Sequence, residues 1–140
     1  MSRIGVLLEL SREHHTSLVM ARDARRTSKS DDPAILSAAV RSIEAHWHTL
    51  LAEHFEREER LIQTVGDELD PEAVARIISE HAELRLLALG PCTLEPAARL
   101  QRFGDLLGTH VRYEERIFFP QLQSHSRFAS VNAPAGSDAH

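Results

Sequence analysis

Cysteine is nearly absent from this 140-residue chain. The single Cys92 excludes an intrachain disulfide framework and any thiolate-rich zinc module, and it fits a reducing compartment. The cytoplasm is the expected location. Positive charge is also short: 16 Lys plus Arg against 21 Asp plus Glu leave a formal charge of −5. Without a global positive field to hold a phosphate backbone, nucleic acid is not an expected partner. Long apolar runs are missing. No stretch approaches the ~18 consecutive apolar residues of a membrane-spanning helix, and the N-terminal run Ile4-Gly5-Val6-Leu7-Leu8 breaks at Glu9, too early for a signal-peptide core. Neither membrane insertion nor secretion is expected. The length suits one domain with a single core and excludes a multi-domain enzyme. Against one tyrosine and one tryptophan stand nine histidines. Their positions carry the functional reading.

Apolar residues recur at three- and four-residue spacing along the chain, without strand-like alternation, which predicts an all-α fold. A first helix is expected from Ile4 to about Arg26. Asp32-Pro33, an N-cap followed by proline at the first helical position, starts a second that runs through Trp47 and Leu61 to about Val65. Gly66 to Pro71 supplies a glycine stop and another Asp-Pro start, giving a third helix from Pro71 to about Leu89. Gly90-Pro91 ends it. A fourth starts between Thr93 and Pro96 and runs towards Leu122, with a kink expected at Phe119-Pro120. Short connections make sequential helices neighbours, which predicts an up-down-up-down antiparallel four-helix bundle over residues 1–128. Residues 129–140 are small and polar and read as a disordered tail.

Residues at i±3, i±4 and i±7 share a helix face, so each histidine can be tested by its partners. His54 has Trp47, Leu50, Leu51 and Leu61. His81 has Val74, Ile77, Ile78, Leu84 and Ala88, and His110 has Phe103, Leu106, Leu107 and Ile117. All three face the core. On the first helix His14 has Leu7, Leu10, Leu18 and Ala21, whereas His15 shares Leu8, Leu18 and Val19 with Arg12 and Arg22. His14 fits the stripe better, and both stand as candidates.

Each helix thus turns a histidine inward, and two carry a glutamate one turn on: His54-x-x-x-Glu58 and His110-x-x-x-Glu114. A lone histidine on an apolar face is ordinarily a hydrogen-bonded core residue, and a lone His-x-x-x-Glu is ordinarily side-chain pairing. The conjunction on four of four helices is what points further. Burying ionised carboxylates costs several kcal/mol unless they are paired or bind a metal. A cation resolves the conflict, and imidazole nitrogen mixed with carboxylate oxygen suits iron, manganese or zinc. Four imidazoles and two carboxylates able to bridge suffice for a pair of metals. The second and fourth helices lie diagonally in such a bundle, so Glu58 and Glu114 approach a common centre from opposite sides.

These residues resemble the hemerythrin-like, or HHE cation-binding, family over about residues 4–122. The resemblance rests on Leu10-Ser11-Arg12-Glu13-His14-His15, on His54-Phe55-Glu56-Arg57-Glu58-Glu59, on His81, and above all on His110-Val111-Arg112-Tyr113-Glu114-Glu115-Arg116-Ile117-Phe118-Phe119-Pro120. It implies a non-haem di-iron centre, two oxo- or hydroxo-bridged Fe ions, held by His14 or His15, His54, Glu58, His81, His110 and Glu114. Oxygen carriers of that family place a second histidine four residues after the first on the third helix, where this chain has Arg85. They also place an aspartate five residues after the fourth-helix histidine, where this chain has Glu115 as well as Glu114 at four. The resemblance therefore implies open metal positions, suited to sensing iron or oxygen, ligating nitric oxide or reacting with peroxide rather than simple oxygen carriage. The expected partner is a small diatomic ligand or peroxide.

Among the remaining residues, His46 is expected at the edge of the core, and His48, His125 and His140 in solvent. Trp47 and Phe103 read as core packing, Tyr113 as core or surface. Glu13, Glu53 and Glu59 read as solvated, with Glu59 or Glu115 as the alternative supporting group behind a ligand, and Arg85 as pairing with Glu114 or Glu115 or reaching the surface. No residue is assigned a catalytic role. Two other classes compete: a histidine-phosphotransfer module, for which His48 is the sole candidate, and a metal-free helical interaction module whose histidines are satisfied by the glutamates. Metal content separates them. Ferritin-like sites need Glu-x-x-His, which is absent.

Overall fold

A computed structural model of the chain describes residues 5–124, all of the elements being helical and none a strand among the described residues. The proposed tail, with His125 and His140, lies outside the described residues. Four helical rods make up the body: α1 (Gly5–Thr27); α2 (Pro33–His46) and α3 (Ala52–Val65), joined through a π-turn at Trp47–Leu51; α4 (Pro71–Leu89); and α5 (Pro96–Tyr113) and α6 (Phe119–Ser124), joined through a π-turn at Glu114–Phe118.

The starts and stops have local causes. Asp32 accepts from the Ala34 N–H at 2.9 Å, and Asp70 from the Glu72 N–H at 3.2 Å, each with proline at the first helical position. Both cap otherwise orphaned N–H groups. Gly90 stops α4 at φ +80°, a left-handed conformation costly for any other residue, and its N–H closes on Leu86 O. α1 lies most closely against α5. There a Cβ on Gly104 would sit 2.6 Å from the Ala21 carbonyl oxygen, so only glycine permits that approach.

The apolar stripes gather into two clusters. One contains Ala21, Ala24, Ile43, Trp47, Leu51, Leu84, Leu87, Phe103 and Leu107; the other contains Leu7, Leu10, Leu61, Ile62, Val65, Ile77, Phe118, Phe119 and Leu122. In every rod the inward histidine lies close to the change from one cluster to the other, with Phe55 and Val111, the residues directly after His54 and His110, still belonging to the first. His14 lies between Leu10 and Ala21, His54 between Leu51 and Leu61, His81 between Ile77 and Leu84, and His110 between Leu107 and Phe118. The polar layer is therefore sealed by hydrocarbon on both sides.

The π-turns change the phase of the stripe. Phe119 N–H bonds to Glu114 O, and Pro120 offers no N–H to the Arg116 carbonyl, so the α ladder is interrupted there. The wider turn carries Phe118 rather than Ile117 inward: Phe118 is fully buried while Ile117 is exposed. Ile117 is thus not on the His110 face as simple periodicity predicts. Ile78, one step past the buried Ile77, is likewise exposed and not on the core face.

Candidate metal centre

The six side chains His14, His54, Glu58, His81, His110 and Glu114 are all buried. They form two groups of four potential ligands, His14 with His54 and His81 with His110, and Glu58 and Glu114 belong to both groups. Within each group the candidate ligand atoms lie within 4.8 Å of one another. Each histidine turns Nε2 towards the shared acids. His54 Nε2 lies 2.8 Å from Glu58 Oε2 and His81 Nε2 lies 2.9 Å from Glu58 Oε1, so the two oxygens of one carboxylate serve both groups. Across the layer His14 Nε2 is 2.9 Å and His110 Nε2 3.4 Å from Glu114 Oε1.

Behind the histidines is a second set of carboxylates. Glu13 on α1 holds His54 Nδ1 at 2.8 Å, Glu59 on α3 holds His81 Nδ1 at 2.7 Å, Glu80 on α4 holds His110 Nδ1 at 2.7 Å, and Glu115 at the start of the second π-turn holds His14 Nδ1 at 2.6 Å. Each rod supports the histidine of the next in chain order, and the fourth closes back on the first. The carboxylates accept the Nδ1 protons, which fixes each ring's orientation and turns Nε2 inward, the arrangement that metal-binding histidines almost always show. Three of the supporting acids are themselves anchored: Glu13 by Arg57, Glu115 by the Ser11 hydroxyl at 2.7 Å, and Glu80 by Arg76 at 3.1 Å.

Aromatic rings close the layer. Phe55 stacks on His81 at 3.9 Å between centroids and meets His54 and His110 edge-on. Phe119, brought inward by the π-turn, stacks on His14 at 5.1 Å. Trp47 packs edge-on to Phe55 at 5.6 Å, and Phe103 is fully buried in the core.

Without a cation the layer binds protons instead. Burial alone would lower the His14 pKa, but the close carboxylates of Glu114, Glu115 and Glu58 outweigh it and raise His14 to about 11. In His110 burial is likewise overcome, by Glu114 with Glu80 and Glu58, and the pKa rises to about 10. His54 is raised against burial by Glu58. Glu58 is driven well below the usual carboxylate range, its burial outweighed by His54, His14 and His81. Proton binding alone could in principle satisfy the layer: six acids face four imidazoles, and Arg57 and Arg76 make up the difference in charge. Hydrogen bonding argues against that state. His14 Nε2, His110 Nε2 and both oxygens of Glu114 are buried and make no hydrogen bond of good geometry, although the nitrogens approach Glu114 Oε1 at 2.9 and 3.4 Å. Unsatisfied atoms of this kind cost about 1–3 kcal/mol each. All four are nitrogen or oxygen donors directed at one small volume, so the residues fit a metal ion.

Several expectations change. His15 is exposed on α1 and lies outside the layer, because the 100° step from His14 carries it off the inward face. Glu13 and Glu59 do not stand free in solvent; each turns to a histidine of the following rod, while Glu53 is exposed as expected. Of the two expectations for Arg85 the surface one holds: it is exposed on the wall of a groove. His46 is buried beside Ser17, with its Nε2 3.3 Å from the hydroxyl, and His48 is exposed. Tyr113 is half-buried beneath Arg76, whose guanidinium sits 3.8 Å from the ring centroid. Sequence reasoning missed Glu80 altogether.

No protein-family model, curated protein or solved structure matches the chain. The described residues are all-helical in their regular structure and carry buried His/Glu groups able to hold a metal ion. No helix among the described residues is long and apolar enough to cross a membrane.

Proposed function

We propose that this chain is a hemerythrin-like protein, an antiparallel up-down-up-down bundle that holds two non-haem iron ions. The observation that carries the reading is the sharing of Glu58 and Glu114 between two groups of four donors, each completed by its own pair of histidines. Two imidazole nitrogens and the two shared carboxylates would offer each ion a mixed nitrogen and oxygen set without thiolate, which suits iron. The antiparallel arrangement is supported by the order in which successive rods contribute to the two apolar clusters: α1 and α4 meet them in one order, α2–α3 and α5–α6 in the reverse.

The iron pair would supply reversible electron transfer and a position for a small ligand, so the proposed role is to bind, sense or react with O2, NO or peroxide, or to sense iron, in the cytoplasm. The chain's own residues set the conditions. The supporting glutamates orient the four Nε2 atoms, while Phe55 and Phe119 cover the imidazoles and limit water. The metal-free interaction module is disfavoured by the buried atoms around Glu114 that make no hydrogen bond of good geometry. Metal analysis of protein purified without a histidine tag tests the proposal. About two iron ions per chain and a near-ultraviolet absorption that disappears on reduction are expected; a metal-free, colourless protein would reject it.

A further inference from the structure

The two groups of ligands look equivalent in their inner donors, but their supports differ. Glu13, Glu80 and Glu115 each have a second anchor, from Arg57, Arg76 and Ser11 respectively. Glu59 has no donor other than His81 among the described residues, and its side chain is the most exposed of the four, 40% against 32% for Glu115, 27% for Glu13 and 16% for Glu80. Glu59 and His81 also line a groove of about 540 Å³ walled by Trp47, Ile78, Ala82 and Arg85. Phe55, stacked on His81, lines the same groove. His14, His54 and His110 line none of the depressions described, so the groove reaches the His81/His110 position through His81 alone.

We propose that the two metal positions are inequivalent: the His14/His54 position is the permanent one, and the His81/His110 position is an exchangeable site for a divalent first-row cation, loaded and emptied through the groove. The inference rests on the di-metal reading above. Its physical basis is that a ligand's contribution depends on how firmly its ring is held before the ion arrives. His81 is fastened by the most exposed of the four acids, and the only one of them without a second anchor among the described residues. The other three histidines are fastened by acids that are themselves pinned.

Full-length, untagged chain, stripped of metal and titrated anaerobically with Fe²⁺ or Co²⁺ against a chelator, tests this directly. Two equivalents should bind, the second at least about tenfold more weakly. Glu59→Gln should weaken the second equivalent by about 10–100-fold and leave the first unchanged, whereas Glu13→Gln should weaken the first. Circular dichroism of the metal-free variants confirms that each is folded. Ala82→Trp, which narrows the groove while leaving every ligand in place, should slow both chelator extraction and loading of the second ion severalfold. Equal affinities, a Glu59→Gln effect on both ions alike, or an extraction rate indifferent to Ala82→Trp would overturn the proposal while leaving a di-metal centre intact. A wild-type chain that takes up no metal would instead overturn the di-metal reading itself, and this inference with it.

Discussion

Glu13 reaches from α1 to His54 Nδ1 on α3 at 2.8 Å, from the position immediately before the inward His14. One doublet therefore serves two rods: His14 enters the shared layer, and its neighbour holds the histidine of the next rod. The same pairing of adjacent positions recurs in Glu58-Glu59, Glu80-His81 and Glu114-Glu115. Replacing an anchored acid of this set by alanine frees a ring and leaves a buried Nδ1 without its acceptor. Glu80→Ala should lower metal affinity about 10–100-fold, and Glu80→Gln, which keeps an acceptor, should recover part of the loss. Chelator competition measures both.

Metal uptake must displace protons, because His14 and His110 are held protonated at about 11 and about 10 in the metal-free layer, against burial, by Glu114 and their other acid neighbours. Affinity should therefore rise between pH 6 and 8, by about tenfold per pH unit for each proton displaced. Fold stability follows the opposite course. These imidazoles have raised pKa values in the folded state, so their stabilisation of the metal-free chain is complete below pH 6.5 and is lost as pH rises towards 10–11. Melting with a chelator present should show that alkaline loss, and the metal-loaded chain should not.

His46 gives a separate acid effect. Burial, reinforced by the charge of His54, lowers its pKa to about 4, so the folded chain keeps it neutral. Because the unfolded chain binds that proton more readily, stability falls as pH drops from 6.5 towards 4, by about 2 kcal/mol at pH 5. His46→Gln should flatten this part of the stability curve relative to wild type. Chemical denaturation at pH 7 and pH 5 reads the difference.

The α1–α5 contact predicts a destabilising change far from the ligands. Gly104→Ala places a methyl 2.6 Å from the Ala21 carbonyl oxygen, which the rigid helix backbone cannot easily avoid. A loss of about 1–3 kcal/mol is expected. Denaturation of the metal-free variant isolates the packing effect from metal binding.

Helical periodicity was enough to turn His14, His54, Glu58, His81, His110 and Glu114 inward, because facing on a helix is a local property and each of the six has apolar neighbours one or two turns away. The supporting acids are different. Glu80 and His110 are 30 residues apart, and whether Glu80 turns to solvent or to a neighbouring rod depends on how the rods pack. The signal that was available is the acid adjoining a ligand on each of four helices, since a 100° step from the inward face points at the helix next door. The π-turn at Glu114–Phe118 left only the Pro120 clue, and it displaced the stripe far enough to expose Ile117 and bury Phe119 against His14.

Crystals of the chain as purified, without added metal, allow the central claim to be tested by anomalous diffraction on either side of the iron absorption edge. Two iron peaks between Glu58 and Glu114, one beside His14 and His54 and the other beside His81 and His110, are the expected result. A map with no anomalous density in that layer, and with the imidazoles bonded only to the acids, would contradict the account.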